Sequence, residues 1–281
     1  MHSPLEIAQN YVEVGVHKTH LSAFKMVILG IFAGMFIGFA GVASTTASAS
    51  IAAASVAKLV GAIVFPAGMA MVLIAGSELF TGNTLIIMAV LEKKVTVSKM
   101  LKNWLFVFLG NFIGAFFVAV LVVYGGIPKL FGGDLGTAMV NVASARTDLS
   151  FLESFVRGIL CNILVCIAIW MSFASKSVSG KLLTSFWPVM IFVLCGFEHS
   201  VADIYFGFAG LFTAAQYDIA AGSLTLQNLL VNCLIPVTLG NIVGGAGIVG
   251  FGYWLMFLHQ TPLVHSTVEE EQQEIDIAEE Y

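Results

Sequence analysis

The chain has 281 residues, of which 58% are hydrophobic and 10% are charged, and its mean hydropathy is +0.95. Soluble globular proteins carry about 25% charged residues, so this composition excludes a soluble domain and predicts a chain solvated by a lipid bilayer. The formal net charge of −5 reflects the C-terminal end, where the segment from Glu269 to Glu280 holds seven acidic residues and no basic one. Nothing in this charge pattern indicates a nucleic acid as partner.

The first 25 residues precede any apolar stretch and contain both acidic and basic side chains, such as Glu6, Glu13 and Lys18. A cleavable signal peptide has a basic start followed directly by an apolar core, and this segment lacks that form. We therefore expect residues 1–25 to be an amphipathic segment in the cytosol.

Six apolar stretches follow, and each is long enough to cross a bilayer, which takes about 20 helical residues. They cover residues 26–48, 55–91, 103–125, 155–174, 184–215 and 227–258. The second and fifth are too long for one crossing, and polar tracts that contain glycine interrupt them. The sequence thus predicts an all-α membrane protein with six transmembrane helices over residues 26–258, of which helices 2 and 5 are broken.

The distribution of basic residues predicts the orientation of the chain, because cytosolic loops are rich in Lys and Arg. Six spans place both termini on one side. Eight of the 12 basic residues lie on that side: Lys18, Lys25, Lys93, Lys94, Lys99, Lys102, Lys176 and Lys181. Both termini are predicted to be cytosolic, and the acidic tail at 259–281 is predicted to be a disordered extension, with gating or partner docking as alternatives.

Three pairs of short motifs occur in the same order in the two halves of the chain, which indicates a duplicated unit of three spans, at about 26–125 and 155–258. The pairs are Gly30-Ile-Phe-Ala-Gly-Met-Phe-Ile37 with Gly158-Ile-Leu-Cys-Asn-Ile-Leu-Val165, Gly76-Ser-Glu78 and Asn83 with Gly196-Phe-Glu198 and Asp203, and Gly110-Asn111-x-x-Gly114 with Gly240-Asn241-x-x-Gly244. An odd number of spans per unit implies inverted repeats. In many transporters of that plan, the site lies where broken helices meet.

The helix breaks contain ionisable residues, each of which costs about 2.5–3.5 kcal/mol at the centre of a membrane and is thus a functional candidate. Glu78 and Glu198 are repeat equivalents, which favours a structural role as acceptors for the backbone N–H groups that each break frees. His199 has no equivalent, because Leu79 stands at its repeat position. An imidazole titrates near neutral pH and can donate hydrogen bonds to an anion or exchange a proton with it. The alternative is a histidine satisfied within the core.

Other classes of protein fit the sequence less well. It contains no His-Glu-x-x-His or Gly-x-Ser-x-Gly motif and no dinucleotide-binding loop, which disfavours a membrane enzyme that uses Glu198 and His199 as acid and base. The paired Asn-Pro-Ala motifs of a neutral-solute channel are absent too. The four cysteines lie in apolar stretches, so we expect buried thiols rather than a disulfide or metal framework. No cofactor or metal is expected.

Several motifs, spread over residues 20–258, resemble those of the formate/nitrite transporter family. They are Ala57-Lys-Leu-Val-Gly61, Glu78-Leu-Phe-Thr-Gly-Asn83, Lys102-Asn-Trp104, Gly110-Asn111, Gly158-Ile-Leu-Cys-Asn162, Gly196-Phe-Glu-His-Ser200 and Ile235-Pro-Val-Thr-Leu-Gly-Asn-Ile-Val-Gly-Gly245. The resemblance implies a homopentamer with an aquaporin-like fold and a pore in each protomer. It implies transport of a small monovalent anion, with formate as the expected substrate and nitrite, hydrosulfide or lactate as alternatives, by channel-like or proton-linked passage.

The same resemblance implies roles for individual residues. Thr81 would bind the substrate beside the central His199, Leu79 would narrow the cytosolic side, and Phe65 with Phe192 would form the outer constriction. Phe80 is a further expected pore residue, Asn162 and Asn241 would line the pore or brace it, and Asn111 would be structural.

At one position the chain departs from the family pattern. Arg146 stands where many family members have a lysine in the outer vestibule. An arginine attracts anions but is a poor proton donor. The resemblance also implies a plasma membrane location, which in a prokaryote is the cytoplasmic membrane.

Overall fold

The structure, a computed structural model, describes residues 1–259, and all regular secondary structure in that range is helical. The acidic tail predicted at 259–281 lies outside the described residues except for His259. The helices, numbered in chain order, are α1 Pro4–His20, α2 Ala23–Ser48, α3 Ala54–Ala75, α4 Phe80–Leu91, α5 Val97–Tyr124, α6 Asp134–Thr147, α7 Phe151–Ala174, α8 Val178–Cys195, α9 Ser200–Tyr217 and α10 Leu226–Phe257.

Six of these helices, α2, α3, α5, α7, α8 and α10, are long and apolar enough to cross a membrane. This confirms the six predicted spans. The two breaks also occur where the polar tracts predicted them: α3 ends and the chain resumes as α4, and α8 ends and resumes as α9. Within residues 1–259 the chain is thus a multi-pass helical membrane protein.

Glycine ends the first half of each broken helix. Gly76 has φ 75° and Gly196 has φ 71°, a left-handed conformation that costs glycine little because it has no Cβ atom. Each glycine is followed by three non-helical residues, the last of them extended, before the next helix begins at Phe80 or Ser200. The paired glycines therefore produce the same local backbone in both halves.

Asparagine side chains from α5 and α10 bind the backbone that each break exposes. The Phe80 N–H donates to Asn111 Oδ1 (2.8 Å), and the Ser200 N–H donates to Asn241 Oδ1 (3.0 Å). The sequence prediction assigned these N–H groups to the carboxylates of Glu78 and Glu198 and was wrong. A carboxamide fits better, because its Nδ2 group can also satisfy carbonyls that a carboxylate would repel.

The amide nitrogens of these asparagines do so in both halves. Asn111 Nδ2 donates to the carbonyls of Gly30 and Glu78, each at 2.8 Å. Asn241 Nδ2 donates to the equivalent carbonyls of Gly158 and Glu198, at 2.8 and 3.1 Å. Each asparagine thus connects three segments of its half.

Two further helices in residues 1–259, α1 and α6, belong neither to the six spans nor to the second halves α4 and α9 of the broken helices. α1 buries Ile7, Tyr11 and Val12 on one face and begins with a capping box between Ser3 and Glu6. α6 lies between the third and fourth spans, where no helix was predicted, and packs against α9. Both helices supply charged residues to the site described next.

Candidate functional site

The two helix breaks meet at one pair of side chains. Thr81 Oγ1 lies 2.9 Å from His199 Nε2, and both residues are buried. Thr81 occupies the first turn of α4, and His199 immediately precedes α9. The broken helices therefore place one hydroxyl and one imidazole at the centre of the molecule.

Hydrogen bonding fixes the tautomer of His199. The Ala202 N–H donates to His199 Nδ1 (3.2 Å), so the ring caps the N-terminus of α9. Because a backbone N–H is only a donor, Nδ1 must be the acceptor, and a neutral ring then has its hydrogen on Nε2. That hydrogen points at Thr81 Oγ1. Among the described residues the Thr81 hydroxyl has no other partner, so its own hydrogen can bond a passing solute.

Aromatic rings close the path on one side of this pair. The Phe65 and Phe192 rings meet edge to face, with centroids 5.9 Å apart, and the Phe192 ring stacks on His199 at 6.0 Å. Phe206 stacks on Phe65 at 6.4 Å. Sequence reasoning missed Phe206, which is one of 23 phenylalanines and has no distinguishing motif.

A cavity of about 580 Å³ is lined by these aromatic rings, reaches His199 and is called the outer cavity here. Its wall includes three basic residues, Lys58, Arg146 and Arg157. Arg146, however, is engaged by protein groups: Nε is 2.9 Å from Asp203 Oδ1 and 3.3 Å from Glu198 Oε2. The expected role of Arg146 as an anion attractor needs correction, because its charge is matched by two carboxylates.

Lys58 and Arg157 therefore supply the cavity's available positive charge. In residues 1–259 neither forms an ion pair, and both line the cavity. Neither residue was among the site residues expected from the sequence.

A second cavity, of about 210 Å³, lies on the other side of the Thr81–His199 pair and is called the inner cavity here. Leu79 is buried in its wall, and Tyr11 and Lys18 of α1 contribute to it. Tyr11 Oη donates to the Gly82 carbonyl at 2.8 Å, which attaches α1 to the break. The narrowing role expected of Leu79 stays a prediction.

Glu78 faces the inner cavity in a cluster with Lys18 and Asn83, called the inner cluster. Lys18 Nζ lies 3.0 and 2.9 Å from the two Glu78 oxygens and 2.9 Å from Asn83 Oδ1. Asn83 Nδ2 donates to Glu78 Oε2 at 2.7 Å. Glu78 thus accepts hydrogen bonds from side chains and not from the backbone N–H groups predicted for it. Lys18 was missed as a site residue because it lies 60 residues from Glu78 in sequence.

Three expected pore residues have bracing or packing roles. Asn162 Nδ2 donates to the Thr81 carbonyl (3.2 Å) and to the Asn241 carbonyl (2.6 Å), so Asn162 and Asn241 brace the breaks. The Phe80 ring turns away from the path and packs against Trp104 and Phe108, with centroid separations of 6.2 and 5.0 Å. The Phe80 side chain was expected to line the pore, but it packs against these two rings instead.

The cysteines are all free, and three of them are buried as expected. Cys195 is the exception: it is exposed, because it lies at the C-terminal end of α8 beside Gly196. In residues 1–259 no cluster of His, Cys, Asp or Glu could hold a metal ion.

Together, fold and site define a multi-pass membrane protein with two cavities separated by apolar side chains and a buried polar pair. Comparison with known proteins agrees. The model of the family described as "Formate/nitrite transporter" matches residues 5–255. This chain belongs to the formate/nitrite transporter family.

Individual relatives are similar over most of their length. "Formate channel FocA" of Haemophilus influenzae is 37% identical over 261 residues, which cover 88% of this chain and 92% of that protein. FocA of Escherichia coli K12 is 35% identical over 92% of this chain and 95% of that protein. "Formate channel BtFdhC" of Bacillus thuringiensis is also 35% identical, covering 92% and 97%.

Two solved structures share the fold. One, described as "Pentameric formate channel with formate bound", has a TM-score of 0.75 at 33% identity and covers 84% of this chain and 98% of that one. The other, "FNT family ion channel", has a TM-score of 0.81 at 31% identity and covers 89% and 98%.

Proposed function

We propose that this protein is a formate channel of the cytoplasmic membrane, assembled as a homopentamer with a pore in each protomer. The observation that carries the proposal is the buried Thr81–His199 pair between two apolar narrowings. Similar proteins named as formate channels, in several bacteria, favour formate over nitrite, hydrosulfide or lactate. The pentamer is supported by the solved structure described as pentameric.

The apolar narrowings select by desolvation. Phe65 and Phe192 on one side and Leu79 on the other oblige an ion to shed water as it passes. The desolvation cost rises steeply with charge and hydration, so multivalent anions are rejected. A small monovalent carboxylate has the lowest desolvation cost among these anions.

Two hydrogen-bond donors at the centre offset part of this cost. His199 Nε2–H donates to Thr81 Oγ1 at 2.9 Å; an entering carboxylate replaces Thr81 as the acceptor of this hydrogen and accepts a second hydrogen bond from the Thr81 hydroxyl on its other oxygen. A solute without acceptors gains nothing there. The pair therefore favours small carboxylates over apolar molecules.

The cap on His199 favours channel-like passage of the anion over proton-linked passage. To protonate formate, Nε2 would have to release its hydrogen, and Nδ1 would have to lose the bond from Ala202 in order to take up another. Both steps disturb the start of α9. The neutral, capped ring is thus better suited to donate a hydrogen bond than to transfer a proton.

A membrane enzyme is the alternative of another class, and two contacts argue against it. Its acid and base would be Glu198 and His199, but Glu198 Oε2 lies against Arg146 and His199 Nδ1 is occupied by the Ala202 N–H. The relatives named as channels and transporters support transport as well.

Basic residues support an orientation with both termini in the cytosol. In that orientation the inner cavity, walled partly by α1, opens to the cytosol. The outer cavity, with Lys58 and Arg157, opens to the opposite side.

The direct test is reconstitution of the purified protein into liposomes, followed by uptake of labelled formate. Nitrite, hydrosulfide, lactate, sulfate and water are measured in parallel. We expect formate uptake well above that of empty liposomes and no sulfate uptake. Water permeation without anion uptake would contradict the proposal and favour a neutral-solute channel.

A further inference from the structure

A charged cluster stands at each helix break, with a cation, a glutamate and a third polar residue that is an amide in one cluster and a carboxylate in the other. The inner cluster is Lys18, Glu78 and Asn83. The outer cluster is Arg146, Glu198 and Asp203. Asn83 and Asp203 occupy the same repeat position, and the N–H of each donates to the carbonyl four residues earlier, at 3.0 and 2.8 Å. The inner cluster therefore serves as a reference for the outer one.

In the inner cluster every carboxylate oxygen has a donor. Lys18 Nζ bonds both oxygens of Glu78, and it also bonds Asn83 Oδ1 at 2.9 Å. Asn83 Nδ2 then donates to Glu78 Oε2 at 2.7 Å. The amide of Asn83 thus accepts from the cation with its oxygen and donates to the carboxylate with its nitrogen.

The outer cluster repeats half of this pattern. Arg146 Nε donates to Asp203 Oδ1 at 2.9 Å, as Lys18 does to Asn83. Nε carries a single hydrogen, so it cannot also satisfy Glu198 Oε2 at 3.3 Å. Among the residues described, Glu198 Oε2 and Asp203 Oδ2 are both buried without a hydrogen-bond partner. Where the inner cluster pairs an amide donor with a carboxylate acceptor, the outer cluster therefore has two acceptors.

We propose that the outer cluster is a proton-binding site, in which one hydrogen is held between Asp203 Oδ2 and Glu198 Oε2. A protonated Asp203 reproduces Asn83: Oδ1 accepts from the cation and Oδ2–H donates to the glutamate. The hydrogen gives both unpartnered atoms a partner. With this hydrogen bound, one ionised carboxylate remains to pair with Arg146.

Burial makes the unprotonated cluster unfavourable. Asp203 is 1% exposed and Glu198 is 5% exposed, so two negative charges share one cation away from water. An unpaired buried charge is strongly unfavourable, and uptake of a proton removes it. The inner cluster avoids it by having an amide in place of the second carboxylate.

Neighbouring groups do not supply the missing donor. Lys58 and Arg157 line the same cavity but form no ion pair with either carboxylate within the described residues. Cys161 and Cys233, from α7 and α10, are buried free thiols, and neither forms a hydrogen bond to the two unpartnered oxygens. His199 is directed by its ring atoms to Ala202 and Thr81.

The site has a consequence for the outer cavity, since Glu198 and Asp203 are part of its wall. Loss of the proton at alkaline pH adds a negative charge there and repels anions. The proton-binding site itself does not depend on formate being the substrate.

The test is infrared difference spectroscopy of the purified protein in lipid nanodiscs at about pH 7, where an isolated carboxyl group is ionised. We expect a protonated carboxyl C=O band that shifts in D₂O. Both Asp203→Asn and Glu198→Gln are expected to remove it, because either amide supplies the donor that the proton otherwise provides. Both variants test the same site, so if one of them fails to assemble, the other still provides the test.

Asp134→Asn is the matched control, since Asp134 is an exposed carboxylate on α6, and it should leave the band unchanged. Absence of the band from the wild-type protein would overturn the proposal. So would persistence of the band in the assembled Asp203→Asn or Glu198→Gln variant. The spectrum needs no substrate, so a protein that failed to pass formate would still give this result.

Discussion

Thr81 Oγ1 and His199 Nε2 lie 2.9 Å apart although 118 residues separate them in sequence. The contact exists because two helices break at equivalent positions and their second halves begin side by side. Between Leu79 and the Phe65–Phe192 rings, this pair is the only polar contact that we propose for the solute. The role of the Thr81 hydroxyl can be tested by conservative substitutions.

Replacing Thr81 by valine should lower formate flux by about tenfold or more, because a hydrogen bond to a charged group contributes about 1.5–3 kcal/mol. Valine has the same shape as threonine but no donor. Thr81→Ser keeps the hydroxyl and should retain most of the flux. Initial uptake rates in liposomes give the comparison, and equal rates for the valine and serine variants would argue against a role for the hydroxyl.

Asn241→Leu should destabilise the protein, because it leaves the Ser200 N–H and two carbonyls without partners. Each buried unsatisfied group costs about 1–3 kcal/mol. Thermal unfolding in detergent measures the effect. Asn141→Leu is the control, since Asn141 is exposed; a Tm for Asn241→Leu equal to that of the control would contradict the bracing role.

Arg146→Gln should destabilise the protein by about 3–5 kcal/mol, the typical cost of removing one partner from a buried ion pair. The double variant Arg146→Gln with Glu198→Gln should recover part of this loss, because one carboxylate charge is removed as well. Chemical unfolding of both variants and of Arg157→Gln provides the measurement. No difference between Arg146→Gln and Arg157→Gln would mean that Arg146 is not engaged as described.

Lys58→Gln combined with Arg157→Gln should slow anion uptake from the side of the outer cavity at low ionic strength. The difference from wild type should shrink as salt is added, because charges at a cavity mouth act through a screened field. Lys129→Gln, a neutralised exposed lysine, is the control. A double variant with the salt dependence of wild type would show that these charges do not attract the substrate.

Much of the fold could be predicted because its signals are local in sequence. Apolar length gave the six spans, and Gly76 and Gly196 marked the breaks. The equivalence of Asn111 and Asn241 was visible as a repeated motif, and the structure gives both the same contacts. Only the partners of these groups had to come from the structure.

The missed features depend on contacts between distant segments. Lys18 and Tyr11 belong to an N-terminal helix whose sequence does not reveal that it packs against the first break. Arg146 was identified, but α6 was not, so its pairing with Asp203 could not be foreseen. Phe206 joins the aromatic narrowing through the position of α9 alone.

The central claim is that the His199 ring donates a hydrogen bond to the anion, and formate uptake by His199 variants tests it most directly. Phenylalanine keeps the ring shape without the donor. Asparagine keeps a cap for α9, since it is a good N-cap residue, but is too short to replace Nε2. Exposed His17→Phe is the control. We predict a large loss of flux in His199→Phe and His199→Asn with the control unaffected; wild-type flux in either His199 variant would contradict the account.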